Sequence, residues 1–75
     1  MNKDRRKILS NVIDQLETLK GKVEDVLSDE QWAFDNMPEG LQGSMRGMES
    51  EEAIGYMEDA ISSLDDAISS LQNIV

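Results

Sequence analysis

The sequence predicts an all-α fold: an antiparallel two-helix hairpin with an elaborated connecting loop, assembling as a homo-oligomeric helical bundle. Three observations predict it. Apolar residues recur at helical spacing through the first half, and a seven-residue repeat runs through the last third. Between them lies Asp35 to Met48, which holds the only proline and three of the five glycines. Seventy-five residues make one domain, 1–75. A chain this short buries little surface and commonly needs disulfides, metal or self-association to be stable. It has no Cys and no His. That excludes disulfides and the usual zinc sites, and leaves oligomerisation.

The first helix is expected over about residues 3–36. Leu9, Val12, Leu16, Leu19, Val23 and Val26 fall three and four apart, and Ile13, Leu27 and Phe34 widen the stripe. So broad an apolar face calls for more than one partner helix. Glu30 falls where an apolar residue is expected. Either it reaches solvent or pairs across an interface, or it is a buried acid near the loop. Gly21 sits mid-helix at a cost of about 1 kcal/mol relative to Ala, and marks a kink or a close contact. Lys3, Arg5, Arg6 and Lys7 gather at the N-terminus, where the helix dipole disfavours cations. They are either solvated or paired with acids of a neighbouring chain or with an anionic ligand.

The connection is expected over about 37–49, with a short helical turn. Asn36 suits its N-cap, Pro38 its first position and Glu39 the residue that reaches back. Leu41, Met45 and Met48 would then share a face and plug the bundle end. Gly40, Gly43 and Gly47 would interrupt continuous helix. The second helix is expected over about 50–75, with Ser50 as N-cap and Glu51 and Glu52 in its first turn. Its heptads place Ile54, Ile61, Ile68 and Val75 at one core position and Met57, Leu64 and Leu71 at the other. Ala53, Ala60 and Ala67 flank them and permit close helix approach.

Charge narrows the function. The net charge is −9 and unevenly spread. Residues 1–22 carry six cations against three acids, whereas residues 23–75 carry one cation, Arg46, against thirteen acids. An acidic body does not suit direct nucleic-acid binding, which displaces counterions with basic surface. It suits a basic partner surface. Apolar runs are too short for a membrane span, and no apolar segment follows the basic start as in a signal peptide, so a cytoplasmic location is expected.

Catalysis is not expected. A nucleophilic serine lacks a histidine base. The helix carboxylates lack the Glu-x-x-His partners of a di-iron bundle. Asp35 to Arg46 fails as a calcium loop, because Met37 and Arg46 stand where ligands are needed. No metal and no cofactor are therefore expected.

Binding at the loop end is a different matter. Trp32, Phe34 and Tyr56 are the only aromatics, and all lie within one or two turns of the loop. Trp32 and Tyr56 are off the core seam, and Gly55 interrupts the repeat beside Tyr56. With Asn36, Gln42, Ser44 and Arg46 they make a candidate pocket. Trp32 and Tyr56 would stack, the polar side chains would read edges, and Arg46 would hold phosphate. The same aromatics would equally serve an oligomer interface, and the connection would equally serve as a turn that caps the core.

The stretch Ala33-Phe34-Asp35-Asn36-Met37-Pro38-Glu39-Gly40-Leu41-Gln42-Gly43-Ser44, followed by the Ala-Ile-x-x-Leu helix, resembles small helical proteins encoded by phages and mobile elements of Gram-positive bacteria. The resemblance runs from the second half of helix 1 through helix 2 and brings no established activity. Small oligomeric phage proteins of this build include counter-defence proteins that sequester nucleotide signals. The implied function is a non-enzymatic binding module taking a small anionic ligand, with itself and that nucleotide as partners. The alternative is an acidic inhibitor, or DNA mimic, of a basic host protein. It would use Glu49, Glu51, Glu52, Glu58, Asp59, Asp65 and Asp66. A scaffold with no ligand is the third reading.

Overall fold

The computed structural model describes residues 1–75 and is all-helical. Two long helices, α1 (Lys3–Asp35) and α3 (Met45–Gln72), flank a single turn, α2 (Glu39–Gln42). The molecule is a rod of 58 × 14 × 12 Å. Its length follows from α1, whose 33 residues rise about 50 Å at 1.5 Å each.

α1 starts where the Asn2 side chain accepts from the Arg5 amide at 2.8 Å, which satisfies one of the orphan donors of a helix start. The helix runs unbroken through Gly21, around which a β-carbon would meet nothing within 4 Å. A close contact at Gly21 is therefore not the reason for that glycine. α1 ends at Asn36, whose side-chain amide donates to the Trp32 carbonyl at 2.8 Å. Asn36 thus closes α1. It does not open the short turn, whose N-cap position is Pro38 with no side-chain cap.

α3 begins five residues earlier than the heptads suggest. Ser44 is its N-cap, accepting from the Gly47 amide at 3.5 Å, and Ser50 lies inside the helix. Two constraints explain the shift. Gly47 does not break the helix but sits buried within it, where a β-carbon would run into the Gln42 and Leu41 carbonyls of α2. Glycine is needed there for close approach of the two backbones. Ser50 is 5% exposed and donates to Glu30 Oε1 at 2.7 Å, so its hydroxyl is engaged across the helix pair.

α1 and α3 lie along one another and run in opposite directions. Lys20 meets Asp65, Glu30 meets Ser50, and Gln42 beside α3 meets Phe34. The seam is narrower than the apolar stripe. On α1 the inward residues are Leu9, Ile13, Leu16, Lys20, Val23, Leu27, Glu30, Phe34 and then Met37. On α3 they are Gly47, Ser50, Ile54, Met57, Ile61, Leu64, Ile68 and Leu71. Both rows alternate steps of three and four, the signature of knobs-into-holes packing. Val75 lies beyond the end of α3 and is exposed. Of the stripe expected on α1, Val12, Leu19 and Val26 are left out of this row, and Ile8 is exposed as well.

The plug at the loop end is also different. Leu41, Met45 and Met48 are all exposed, and Phe34 and Met37 fill that end instead. The early start of α3 explains it. With Met45 and Met48 on a regular helix whose inward row is Gly47 and Ser50, neither methionine can face α1.

Two charged residues occupy seam positions. Lys20 Nζ lies 2.6 Å from Asp65, half exposed on α3. That hydrogen bond, opposed by partial desolvation and helped by the Asp65, Glu24 and Glu17 charges, holds the lysine above its ordinary value of 10.5. Glu30 is half-buried and accepts from Ser50, which satisfies the acid that interrupts the stripe.

Candidate functional site

The loop end is built by three backbone events: the close of α1 at Asn36, the turn α2, and the start of α3 at Ser44. Each consumes a polar side chain. Asn36 donates to Trp32, Gln42 Nε2 donates to the Phe34 carbonyl at 3.0 Å, and Ser44 donates to the Leu41 carbonyl. Each adds a second donor to a carbonyl that already accepts a backbone amide, from Asn36, Met37 and Ser44 respectively, and so reinforces the helix ends. Three of the six expected binding residues, Asn36, Gln42 and Ser44, therefore already serve the fold.

The other three stand free. Trp32 is 69% and Tyr56 66% exposed, and Arg46 is exposed and enters no ion pair. Trp32 and Arg46 line one cleft of about 440 Å³ with Ala33, Asn36, Met37, Pro38 and Leu41. Tyr56 lines no cleft, so the two aromatics do not form the walls of one slot. The geometry thus gathers Trp32, Asn36 and Arg46, and leaves Gln42, Ser44 and Tyr56 outside.

A second cleft of about 310 Å³ adjoins the first through Ala33, Met37 and Arg46, and adds Glu30, Glu49 and Ser50. Arg46 therefore stands between an aromatic, largely apolar wall and two carboxylates. Ala33, Met37, Pro38 and Leu41 were not singled out as binding residues, because apolar residues beside a loop read as core. The Glu30–Ser50 pair had a signal in the break that Glu30 makes in the stripe. Its partner was hidden because Ser50 reads as a helix cap.

Chemically, the first cleft offers an indole face, apolar edges and one guanidinium. That set suits a flat ring carrying an anionic group. No group of three or more His, Cys, Asp or Glu is arranged to hold a metal ion. No helix is long and apolar enough to cross a membrane. No protein-family model matches the chain, and neither a curated protein nor a solved structure was found to match it.

Proposed function

We propose that this chain is a non-enzymatic binding module, an antiparallel helical hairpin that holds a small anionic, nucleotide-type ligand at its loop end. The observation that carries the reading is the Trp32–Arg46 cleft: an exposed indole and an arginine without a carboxylate partner line the same cavity. Trp32 stacks on the ring, Arg46 pairs with phosphate, and Asn36 presents its remaining amide capacity to the ligand edge. Capture without turnover fits a chain that has neither His nor Cys to act as base or nucleophile. In biological terms the module sequesters a nucleotide signal in the cytoplasm, as a phage counter-defence protein would. The test is thermal unfolding with a panel of nucleotides, including cyclic dinucleotides and ADP-ribose derivatives. A ligand that binds only the folded state stabilises it by about 2.7 kcal/mol at a hundred times its dissociation constant. The expected result is a selective shift that disappears in Arg46→Ala. No shift across the panel, or a shift unchanged by Arg46→Ala, overturns this site.

A second reading is favoured by one flank of the helix pair. Glu17 and Glu24 on α1 and Glu51, Glu58 and Asp65 on α3 line it at seven-residue spacing, and only Asp65 has an ion-pair partner. Such a flank suits a basic host protein, as a DNA mimic does. Its mark is binding that weakens steeply with salt and is lost on Glu24→Lys with Glu58→Lys.

A further inference from the structure

The seam divides the helix pair into two flanks of opposite character. On α1, Val12, Leu19, Val26 and Ala33 each precede a seam residue by one. On α3, Ala53, Ala60 and Ala67 do the same. In an antiparallel pair these two rows fall on the same side. Two clefts agree with that placement: Ala33 lines one with Glu49, and Gln31 lines another with Glu58 on the opposite flank. The result is a continuous apolar flank, on which Leu19 is 51% and Val26 57% exposed.

We propose that a second copy of this chain covers this flank head to tail, about a two-fold axis passing beside Leu19. The proposal does not rest on the nucleotide reading. Three observations point to this occupant and this orientation.

The first is area. The chain exposes 5593 Å², whereas a compact monomer of 8.4 kDa exposes about 4,600 Å². The excess matches the roughly 800 Å² that each partner contributes to a standard interface. No side chain is fully buried, and only Ile13, Ile54 and Ile68 form a buried apolar core.

The second is register. Val12 and Val26 are symmetric about Leu19, and Ala60 and Ala67 are symmetric about their midpoint. The Lys20–Asp65 contact puts these two centres near one level along the rod. A reversed copy therefore matches both rows at once. Leu19 meets Leu19, Val12 meets Val26 and Ala60 meets Ala67. Each row thus meets its own copy, larger residues on α1 and smaller ones on α3, as an isologous two-fold contact requires.

The third is charge. Residues 24–58, the loop half, carry ten acids and one arginine, and the remaining residues carry six acids and six cations. Copies aligned head to head would set the acidic halves side by side. Head to tail, Lys3 and Arg5 of one copy come level with Asp35 and Ala33 of the other. This gives the basic N-terminus, misplaced for its own helix dipole, a partner at the loop end.

The chain has no cysteine, so single substitutions report the orientation directly. Leu19→Cys, treated with a short bis-maleimide, is expected to link into a covalent dimer. Val12→Cys alone is expected not to link, because its copies lie about 21 Å apart at 1.5 Å per residue. Mixed with Val26→Cys it is expected to link. Glu24→Cys on the acidic flank is expected to stay unlinked. All four positions are exposed or half-exposed, so the substitutions leave the seam intact. Leu19→Cys that fails to link, or that links no better than Glu24→Cys, overturns the proposal. So does Leu19→Cys that links with Ala60→Cys in preference to itself.

Discussion

On one flank of the seam, Val12, Leu19, Val26 and Ala33 face the same way as Ala53, Ala60 and Ala67. On the other, Glu17, Glu24 and Gln31 face the same way as Glu51, Glu58, Asp65 and Gln72. The two sets hang on the same two helices and the same heptad, displaced to opposite sides of one seam. Each is what an antiparallel pair makes of a seven-residue repeat: identical positions on the two helices meet. The difference teaches which side is finished. Carboxylates are content in water, so the acidic flank needs no cover. Exposed leucine and valine in a row are not, and this is the flank that the proposed second copy would cover.

The comparison breaks most severely at the seam both flanks depend on. Ile54→Ala removes a side chain that is only 7% exposed and should cost about 2–4 kcal/mol in chemical denaturation. Next comes Leu19→Glu, which places a charge at the centre of the apolar flank. It should halve the sedimenting mass and lower Tm, whereas Glu24→Gln on the acidic flank should change neither.

The glycines give a sharper contrast of smaller size. Gly47→Ala should destabilise, because its β-carbon meets the α2 carbonyls. Gly21→Ala, with nothing within 4 Å, should stabilise by about 1 kcal/mol, since α1 is helical throughout. Equal effects at the two positions would refute the close approach at Gly47. The smallest effect is expected at Lys20. Its raised pKa means that the contribution of the Asp65 contact is fully present below the ordinary lysine value of 10.5 and is lost as pH rises through the folded value. Lys20→Met puts an apolar residue in the seam, and should raise Tm slightly and remove that alkaline loss.

Much of the fold was legible in the sequence. The heptads of α3 name its seam residues almost individually, because Ile and Leu recur with alanine beside them. α1 was harder, and for a physical reason. Its stripe serves two surfaces, and residues one position apart share the three-and-four spacing. Spacing alone therefore groups Leu9 and Leu16, which face α3, with Leu19 and Val26, which do not. Lys20 and Glu30 blur the stripe further, because each is satisfied by a partner remote in sequence. The start of α3 was misread because Ser44 and Ser50 are both fit to cap, and only the close approach of α2 at Gly47 decides between them.

The loop-end site was legible in part. Trp32 and Arg46 stand out by rarity and fall in one cleft. Asn36, Gln42 and Ser44 stand out equally as polar residues near a loop. Each is spent on the fold, as a second donor to a helix-end carbonyl of Trp32, Phe34 or Leu41. Tyr56 was grouped with Trp32 by distance along the chain, but it is exposed and lines no cleft.

The central claim is that this helix pair is half of its assembly. Sedimentation equilibrium of the unsubstituted chain over a dilution series tests it most directly. The account predicts twice the chain mass of 8.4 kDa at micromolar concentration, with helicity falling as dilution separates the copies. A species of 8.4 kDa that keeps its full helicity at every concentration would contradict it.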